Sequence, residues 1–294
     1  MKTSSAFSLQ PSAPTPSTSL LEVLQGGTAF LKKQGVEQAR LNVELLLAHV
    51  LKIPRLELYL QFDRILGEAE KAPLRELLRE RGRAVPLQHL LGTTEFFGRT
   101  FRSDARGLIP RPETEQLVER ALTHHQASCL LDVGTGSGVI AITLALEKPT
   151  TSIDAIDFSP EALSLAQENA ALHRATNIQW HQGNLLQEQT QSWDLIVANL
   201  PYIDTEEIPT LSREVQYDPI MALDGGKSGL VLIQQLIEQA PACLDEGGCL
   251  LLEIGKDQEK EVVKLLEIND YSDILALPDY QGVLRFVEAR MLRL

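Results

Sequence analysis

An apolar strand that runs into a glycine-rich turn and then into a helix is the feature that most constrains this chain. Leu130 to Val133 has the composition of a buried strand, Gly134 to Gly138 holds glycine at alternate positions, and Val139 to Leu146 continues as an apolar helix. Strand-turn-helix units of this kind build Rossmann-like α/β domains around a parallel sheet. The glycines let the backbone approach a ligand closely, and the helix N-terminus can receive a carboxylate. The segment therefore predicts an α/β fold with a ligand site at the end of this strand.

The spacing of the glycines separates two kinds of nucleotide site. A dinucleotide-binding turn has the pattern G-x-G-x-x-G, which would place its third glycine at Val139, whereas this chain has G-x-G-x-G. The pattern departs from nicotinamide binding and resembles the loop with which methyltransferases bind S-adenosylmethionine. The resemblance implies that the whole loop contacts the cofactor: Gly134, Thr135, Gly136, Ser137 and Gly138.

Asp157 is the predicted ribose ligand. It ends a second apolar strand, Ser152 to Asp157, and lies 19 positions after Gly138, about where a carboxylate accepts both ribose hydroxyls. Asp157 could instead cap the helix that follows, although Ser159 fits that role better because Pro160 stands at the first helical position. The spacing favours the ribose interpretation.

A third strand, Asn177 to His181, precedes a candidate adenine contact at Gly183-Asn184-Leu185. Leu185 could pack on the purine ring, and Asn184 could form hydrogen bonds with its edge. An ordinary loop remains the alternative for these residues.

The tetrapeptide Asn199-Leu200-Pro201-Tyr202 follows the apolar run Leu195 to Ala198 and points to methyl transfer to nitrogen. The Asn199 side-chain carbonyl and the Leu200 backbone carbonyl can both accept hydrogen bonds from a planar NH2 group, which directs the nitrogen lone pair at an electrophilic methyl group. Pro201 would stiffen the turn, and Tyr202 would pack on the planar group. A simple strand-ending turn is the alternative.

Charge is distributed unevenly along the chain. Residues 1–92 hold 12 Lys and Arg against 9 Asp and Glu, or +3, and the remainder holds 15 against 31, or −16, which together give −13. Nucleic-acid binding depends mostly on Lys and Arg that neutralise phosphates. The acidic second part therefore favours a protein substrate and predicts no direct nucleic-acid substrate.

Composition predicts a soluble, cytoplasmic protein. The chain has 294 residues, 44% of them hydrophobic, enough for one large domain with a smaller companion. It has no uninterrupted apolar stretch of about 18 residues, the length that a membrane helix needs. Residues 1–19 are rich in Ser, Thr and Pro, which predicts a disordered tail rather than an arginine-rich transit peptide. Cysteines and histidines lack ligand spacing, so we predict no metal site.

The first part of the chain has the pattern of a separate helical module. Apolar residues recur at helical spacing in residues 20–92, with breaks expected at Gly26-Gly27, Gly35, Pro54 and Gly67. Short helices of this kind are marginal alone, so we expect a small bundle that either caps the catalytic domain or docks its substrate. Alternation around Glu95 to Phe101 predicts a short hairpin in a linker at residues 93–108, and a helix is expected from about Glu113 to His124.

Taken together with the Pro110-Arg111-Pro112-Glu113 segment, these motifs resemble the release factor glutamine methyltransferases, the HemK/PrmC family. The resemblance extends from about residue 20 to the C-terminus and includes Leu252-Glu253-Ile254-Gly255. It implies an N-terminal helical bundle at 20–92, a hairpin linker at 93–108 and a seven-stranded class I methyltransferase domain at 109–294. The implied reaction is S-adenosylmethionine-dependent N5-methylation of the glutamine in the Gly-Gly-Gln motif of class 1 peptide release factors, in translation termination.

The resemblance also assigns residues and leaves one alternative. It implies cofactor contact by Gly134 to Gly138, Asp157, Leu185 and Asn199, with the glutamine amide held by Asn199 to Tyr202. The family usually has Asn-Pro-Pro-Tyr, and Leu200 replaces its first proline; leucine supplies the same backbone carbonyl, so we expect activity to survive. Asn-Leu-Pro-Tyr also resembles the motif of adenine-N6 methyltransferases that act on ribosomal RNA. An adenine-N6 methyltransferase acting on RNA or DNA is therefore the alternative.

Overall fold

The computed structural model describes residues 18–291, and the chain divides into two compact units, the first ending at Leu90 and the second beginning at Leu91. Most of the tail expected at residues 1–19 lies outside the described residues. Its last two residues, Thr18–Ser19, form a short strand, β1, which pairs antiparallel with β2 at Ile65–Leu66.

The first unit is helical. Its elements are α1 (Leu20–Lys33), α2 (Ala39–Leu51), a 3₁₀ helix (Arg55–Leu60) and α3 (Glu68–Gly82), with α4 (Leu87–Leu91) at the division between the units. α1 begins at a capping box, because the Ser19 hydroxyl accepts from Glu22 N at 3.2 Å while the Glu22 carboxylate accepts from Ser19 N at 2.8 Å. Apolar side chains from all three long helices are buried in its core, including Leu24, Leu46 and Leu74.

The break expected at Gly26-Gly27 is wrong, since α1 continues through both glycines. A Cβ at Gly27 would lie 3.0 Å from Val43 Cγ1 and 3.2 Å from Leu78 Cδ1. Glycine at this position therefore permits close approach of α2 and α3, which compensates for its poor helix propensity.

Up to Met291, the second unit contains a hairpin, a sheet, five α-helices and several short 3₁₀ helices. The hairpin strands are β3 (Thr93–Phe96) and β4 (Arg99–Arg102). The remaining strands are β5 (Cys129–Val133), β6 (Ser152–Asp157), β7 (Ile178–Gln182), β8 (Trp193–Asn199), β9 (Leu244–Glu253), β10 (Tyr271–Pro278) and β11 (Leu284–Met291). The helices are α5 (Pro112–Thr123), α6 (Val139–Glu147), α7 (Pro160–His173), α8 (Val231–Gln239) and α9 (Glu259–Ile268).

The sheet confirms the predicted α/β fold class. Its seven strands have the order β10-β11-β9-β8-β5-β6-β7, with β9, β8, β5, β6 and β7 parallel and β11 antiparallel to both of its neighbours. The chain winds from β5 outward to β6 and β7 and then returns to β8 on the other side. The carboxyl ends of β5 and β8 therefore meet at a topological switch point, where open α/β sheets bind ligands.

Both faces of the sheet are covered, so its central strands are apolar on both sides. Side chains alternate between two buried clusters along each strand. In β8, for example, Val197 joins the cluster that includes α5, α6 and the hairpin, whereas Ala198 joins the cluster that includes α8 and α9. The hairpin contributes Phe96 and Phe101, whose rings meet edge to face. Among the described residues, no helix is long and apolar enough to cross a membrane.

Candidate functional site

A cavity of about 670 Å³ lies at the switch point, where the carboxyl ends of β5, β6 and β8 meet. Most of the predicted site residues line it: Gly134, Thr135, Gly136, Ser137, Asp157, Leu185, Asn199, Leu200 and Pro201. Two predicted residues, Gly138 and Tyr202, are not among the lining residues. The fold thus brings together segments that are separated by more than fifty positions in the sequence.

Two of the three glycines in the loop, Gly136 and Gly138, have different structural roles. Both have positive φ, +56° at Gly136 and +82° at Gly138. A Cβ on Gly136 would have only the Gly134 carbonyl oxygen nearby, at 3.9 Å, and would otherwise extend into open space beside the cavity. A Cβ on Gly138 would lie 2.9 Å from both Ala166 Cβ and Ile142 Cδ1. Gly136 therefore leaves room for a ligand, whereas Gly138 lets α6 pack against α7.

Asp132 fixes the loop from below, and our sequence interpretation gave it no role. Its Oδ2 accepts from the Thr135 hydroxyl at 2.7 Å and from Ala141 N at 3.1 Å, so it ties the turn to the first turn of α6. The carboxyl group is fully buried, and burial raises its pKa to about 7. The signal for this role was an acid within an otherwise apolar strand.

Asp157 faces the cavity at the end of β6. Its Oδ2 accepts from Gly136 N at 2.7 Å and its Oδ1 from Ser159 N at 2.9 Å, so backbone donors hold both oxygens. A carboxylate offers about four acceptor positions, and the Phe158 N–H also lies close enough to lower the pKa of this one, so at least one position remains for a ligand. Burial raises the pKa of Asp157. Ser159 is the N-cap of α7, as predicted, and its hydroxyl accepts from Ala162 N at 3.1 Å.

An aromatic side chain that we did not predict stands beside Asp157. Phe158 is 62% exposed and lines the cavity with Asn184 and Leu185. Leu185 adopts a φ of +53°, an unusual conformation for a branched residue that is more common at functional sites than elsewhere. The exposed ring of Phe158 and the buried Leu185 side chain could bind a planar apolar group between them. An exposed Phe directly after the strand-ending acid was the available signal.

Asn199 lies on the opposite side of the cavity, at the end of β8. Its Nδ2 donates to the Thr114 hydroxyl oxygen at 3.0 Å, and Thr114 belongs to the first turn of α5. An amide held through its nitrogen leaves its carbonyl oxygen free to accept from a ligand. Asn199 pairs with Glu253 of β9, and the Thr114 and Asn199 side chains lie close enough to lower the pKa of the Glu253 carboxyl. Neither Thr114 nor Glu253 was a predicted site residue.

The remaining tetrapeptide residues differ in position. Leu200 is buried, and its Cδ2 lies 2.9 Å from where a Cβ on Gly134 would stand, so β8 and the glycine loop are in close contact here. Pro201 lines the cavity. Tyr202 packs against the sheet core and beside Gly255, and burial raises its pKa to about 12. Tyr202 thus supports the turn from behind rather than lining the cavity.

An apolar rim borders the cavity. Pro219, Ile220 and Met221 line it, and Ile220 and Met221 are at least half exposed. Asp218 is buried, and it holds this segment in place because its carboxylate accepts from Arg111 Nη2 at 2.8 Å. Arg111 therefore joins the segment before α5 to the rim.

A cluster of potential metal ligands lies elsewhere in the second unit. His124, Cys249 and Glu288 bring one ligand atom each to within 4.8 Å of the others. His124 Nε2 lies 3.5 Å from a Glu288 carboxylate oxygen, and interactions with His124 and Cys249 lower the pKa of that carboxyl, so the three side chains already interact with one another. Burial holds the pKa of the Cys249 thiol far above its usual value, which disfavours the thiolate that a metal would need. The expectation of no metal site stays a prediction.

Comparison with known protein families identifies both units. A model of the PrmC N-terminal domain matches residues 22–92, and a model of the methyltransferase small domain matches residues 113–215. A release factor glutamine methyltransferase of Geobacter sulfurreducens is 39% identical over 273 residues, which cover 92% of this chain and 96% of that protein. One from Deinococcus radiodurans is 38% identical over 274 residues, which cover 92% of this chain and 98% of that protein.

Solved structures agree with the fold. A methyltransferase from Pyrococcus furiosus superimposes with a TM-score of 0.50 at 16% identity, covering 77% of this chain and 100% of that chain. At this identity the likeness concerns the fold alone, and it supports a class I methyltransferase architecture for the sheet and its helices.

Proposed function

The chain belongs to the release factor glutamine methyltransferase family, and we propose that the cavity at the switch point carries out this family's reaction. In that reaction a methyl group passes from S-adenosylmethionine to the side-chain nitrogen of the glutamine in the Gly-Gly-Gln motif of a class 1 peptide release factor. The observation that carries the assignment is the position of Asn199. Its amide is anchored through Nδ2 on the wall of the same cavity that the glycine loop and Asp157 line.

The residues of one side of the cavity fit S-adenosylmethionine. We call Gly134 to Ser137, Asp157, Phe158, Asn184 and Leu185 the cofactor side. The open space beside Gly136 leaves room for the amino-acid part, the remaining acceptor capacity of Asp157 suits the ribose hydroxyls, and Phe158 with Leu185 suits the adenine ring. When bound, the cofactor supplies an electrophilic methyl group on a sulfonium.

The residues of the other side fit a primary amide. We call Thr114 and Asn199 to Pro201, which line the cavity, together with Glu253 behind them, the amide side. The Asn199 carbonyl oxygen and the Leu200 backbone carbonyl would accept the two N–H groups of the glutamine, which withdraws its lone pair from resonance and directs it into the cavity. The new nitrogen–carbon bond would replace the bond between the methyl carbon and the sulfonium sulfur, which would leave as a neutral thioether, and the nitrogen would release one proton to solvent. Because the leaving group is neutral, the site needs no strong base.

The substrate in this proposal is a protein, bound in the cytoplasm. The second part of the chain carries 31 acidic against 15 basic residues, which is unfavourable for a phosphate backbone. The cysteines of the described residues are free, as expected in a reducing compartment. We assign residues 20–92 to docking of the release factor, residues 93–108 to the hairpin linker and residues 109–294 to catalysis.

The proposal is tested by offering the purified protein radiolabelled S-adenosylmethionine and parallel acceptors. These are a release factor that carries Gly-Gly-Gln, its Gln→Ala variant and ribosomal RNA. We expect label on the wild-type factor alone. Label on RNA would replace the assignment with adenine-N6 chemistry, and label on the Gln→Ala factor would place the modification at another residue.

Two protein controls sharpen this assay. Asn199→Ala should bind S-adenosylmethionine and transfer no measurable label in the same time. Asn177→Ala removes an amide that donates only to backbone carbonyls at the far end of the sheet, including that of Thr151 at 2.9 Å, and should label the factor as wild type does once its folding is verified.

A further inference from the structure

Two apolar rows of the sheet end in polar side chains. Val197 of β8 and Leu251 of β9 are paired, and both lie in the buried cluster that contains α5. Because side chains alternate along a strand, Asn199 and Glu253 occupy the next positions on the same face, and they are also paired. Thr114 meets them from α5, one turn before the core residues Leu117 and Val118. Three elements therefore place one polar side chain each at a single point.

The hydrogen bonds at this point have a direction. Asn199 Nδ2 donates to Thr114 Oγ1 at 3.0 Å, so the Thr114 hydroxyl proton is left for the nearby Glu253 carboxylate, whose pKa both Thr114 and Asn199 lower. Glu253 is 2% exposed, and its Oε2 has no hydrogen-bond partner among residues 18–291. An ionised carboxylate can only accept, so every proton in this network points toward Glu253.

The direction matters because an asparagine amide has two orientations of similar shape. In one, Nδ2 faces Thr114 and Glu253 while Oδ1 remains for a ligand; in the other, the two atoms exchange places. Only the first presents an acceptor to an NH2 group, and the second would set donor against donor. A buried carboxylate beside the amide makes the second orientation costly, because Oδ1 would then face an acceptor.

We propose that Glu253 and Thr114 are positioning residues, which hold the Asn199 amide with its carbonyl oxygen turned to the substrate nitrogen. The inference rests on the proposed function, since it assigns a use to the orientation of Asn199. Neither residue transfers a proton in the reaction. Glu253 does not line the cavity, so it acts through Asn199.

The surroundings of Glu253 indicate that its carboxylate selects one orientation of the Asn199 amide and does not stabilise the fold. Burial raises its pKa to about 7, against the opposing effect of the Thr114 and Asn199 hydrogen bonds. The negative charge of Glu113 in α5 also raises the pKa of Glu253, and the positive charge of Arg285 in β11 lowers it. Tyr202, whose pKa is raised to about 12, stays neutral at physiological pH. A protonated Glu253 could donate to Asn199 Oδ1, so the preferred orientation weakens as the pH falls through about 7.

Glu253→Gln tests the proposal by replacing the obligate acceptor with an amide that can donate or accept. In single-turnover assays at pH 8, we expect the methyl-transfer rate to fall about tenfold or more, while the affinity for S-adenosylmethionine changes less than threefold. The wild-type rate should rise with pH through about 7, and this rise should disappear in the variant. The variant should also melt at a higher temperature at pH 8, because it no longer buries an ionised group.

Thr114→Val removes the central hydroxyl without changing a charge. We expect a similar loss of rate and a retained pH dependence, since Glu253 remains. Thr143→Val is the matched control: Thr143 is also fully buried in a helix of this unit, and its hydroxyl has no partner, so its loss should leave the rate unchanged. The methyl-transfer rate of the double variant Glu253→Gln/Thr114→Val should fall by much less than the product of the two single fold losses, because both residues act through one network.

These results separate the inference from the function on which it rests. A wild-type protein that fails to label the release factor overturns the proposed function and the positioning role together. A wild-type protein that labels the factor, combined with Glu253→Gln that keeps the wild-type rate and pH profile, overturns the positioning role alone. A loss of cofactor affinity equal to the loss of rate would also overturn it, since it would indicate a structural effect on the whole cavity.

Discussion

Two carboxylates, one at the end of β6 and one at the end of β9, show how differently the two sides of the cavity are built. Asp157 ends β6 and lines the cavity, and backbone N–H groups of Gly136 and Ser159 hold it. Glu253 ends β9 outside the cavity, and side chains from α5 and β8 contact it. The cofactor side is organised by local backbone geometry, whereas the amide side depends on side chains from three distant segments. The two sides should therefore respond separately to substitution.

Asn199→Ala should show this separation most strongly. Loss of an acceptor that orients the nucleophile should lower the methyl-transfer rate about 100- to 1,000-fold, the range found when a single electrostatic donor is removed from other active sites. The affinity for S-adenosylmethionine should change less than threefold, because Asn199 lies across the cavity from the cofactor side. Single-turnover labelling and titration calorimetry measure the two quantities.

Asn184→Ala is the matched control, since it removes another cavity-lining asparagine, this one on the cofactor side. Its effect should be on affinity and not on the saturated rate. Equal losses of rate and affinity in Asn199→Ala would contradict the assignment of separate sides.

Asp157→Ala should have the next largest effect, and this effect should be on the affinity for S-adenosylmethionine rather than on the rate. Hydrogen bonds to a charged group contribute about 1.5–3 kcal/mol, which corresponds to about 10- to 100-fold in the dissociation constant of S-adenosylmethionine. The rate at saturating cofactor should stay within about threefold of wild type. Calorimetry that finds an unchanged dissociation constant would refute the ribose assignment.

The paired variants Gly136→Ala and Gly138→Ala distinguish a ligand-binding role from a packing role within the glycine loop. Both place alanine at positive φ, which costs about 1–2 kcal/mol. Gly138→Ala also forces a Cβ to within 2.9 Å of Ala166 and Ile142, so it should lower the melting temperature several degrees more than Gly136→Ala. Gly136→Ala should instead raise the dissociation constant of the cofactor severalfold. The reverse ranking in thermal melts would contradict the packing role of Gly138.

The sequence predicted the local features of this molecule better than the distant ones. Strand, glycine turn, helix and the acid that ends the next strand are consecutive, so their spacing predicted the α/β fold class and a ligand site at the end of β5, although Phe158 was not part of that prediction. Thr114 and Glu253 escaped notice because each looked ordinary in its own segment, and only the pairing of β8 with β9 under α5 brings them to Asn199. Gly27 misled us for a similar reason: its role depends on Val43 and Leu78 in other helices.

Leu200 is the point where the two sides meet, and its replacement should have the smallest effect. Its side chain lies against the Gly134 position of the cofactor side, while its backbone carbonyl belongs to the amide side. Leu200→Pro restores the tetrapeptide that is usual in the family and retains that carbonyl, so we expect the rate and the cofactor affinity to stay within about threefold of wild type, since a fixed φ changes loop free energy by only about 1 kcal/mol. Single-turnover rates with calorimetry on the same preparation check both. A large loss of affinity with an unchanged rate would mean that the leucine side chain, by supporting Gly134, contributes to the cofactor side more than its backbone does to the amide side.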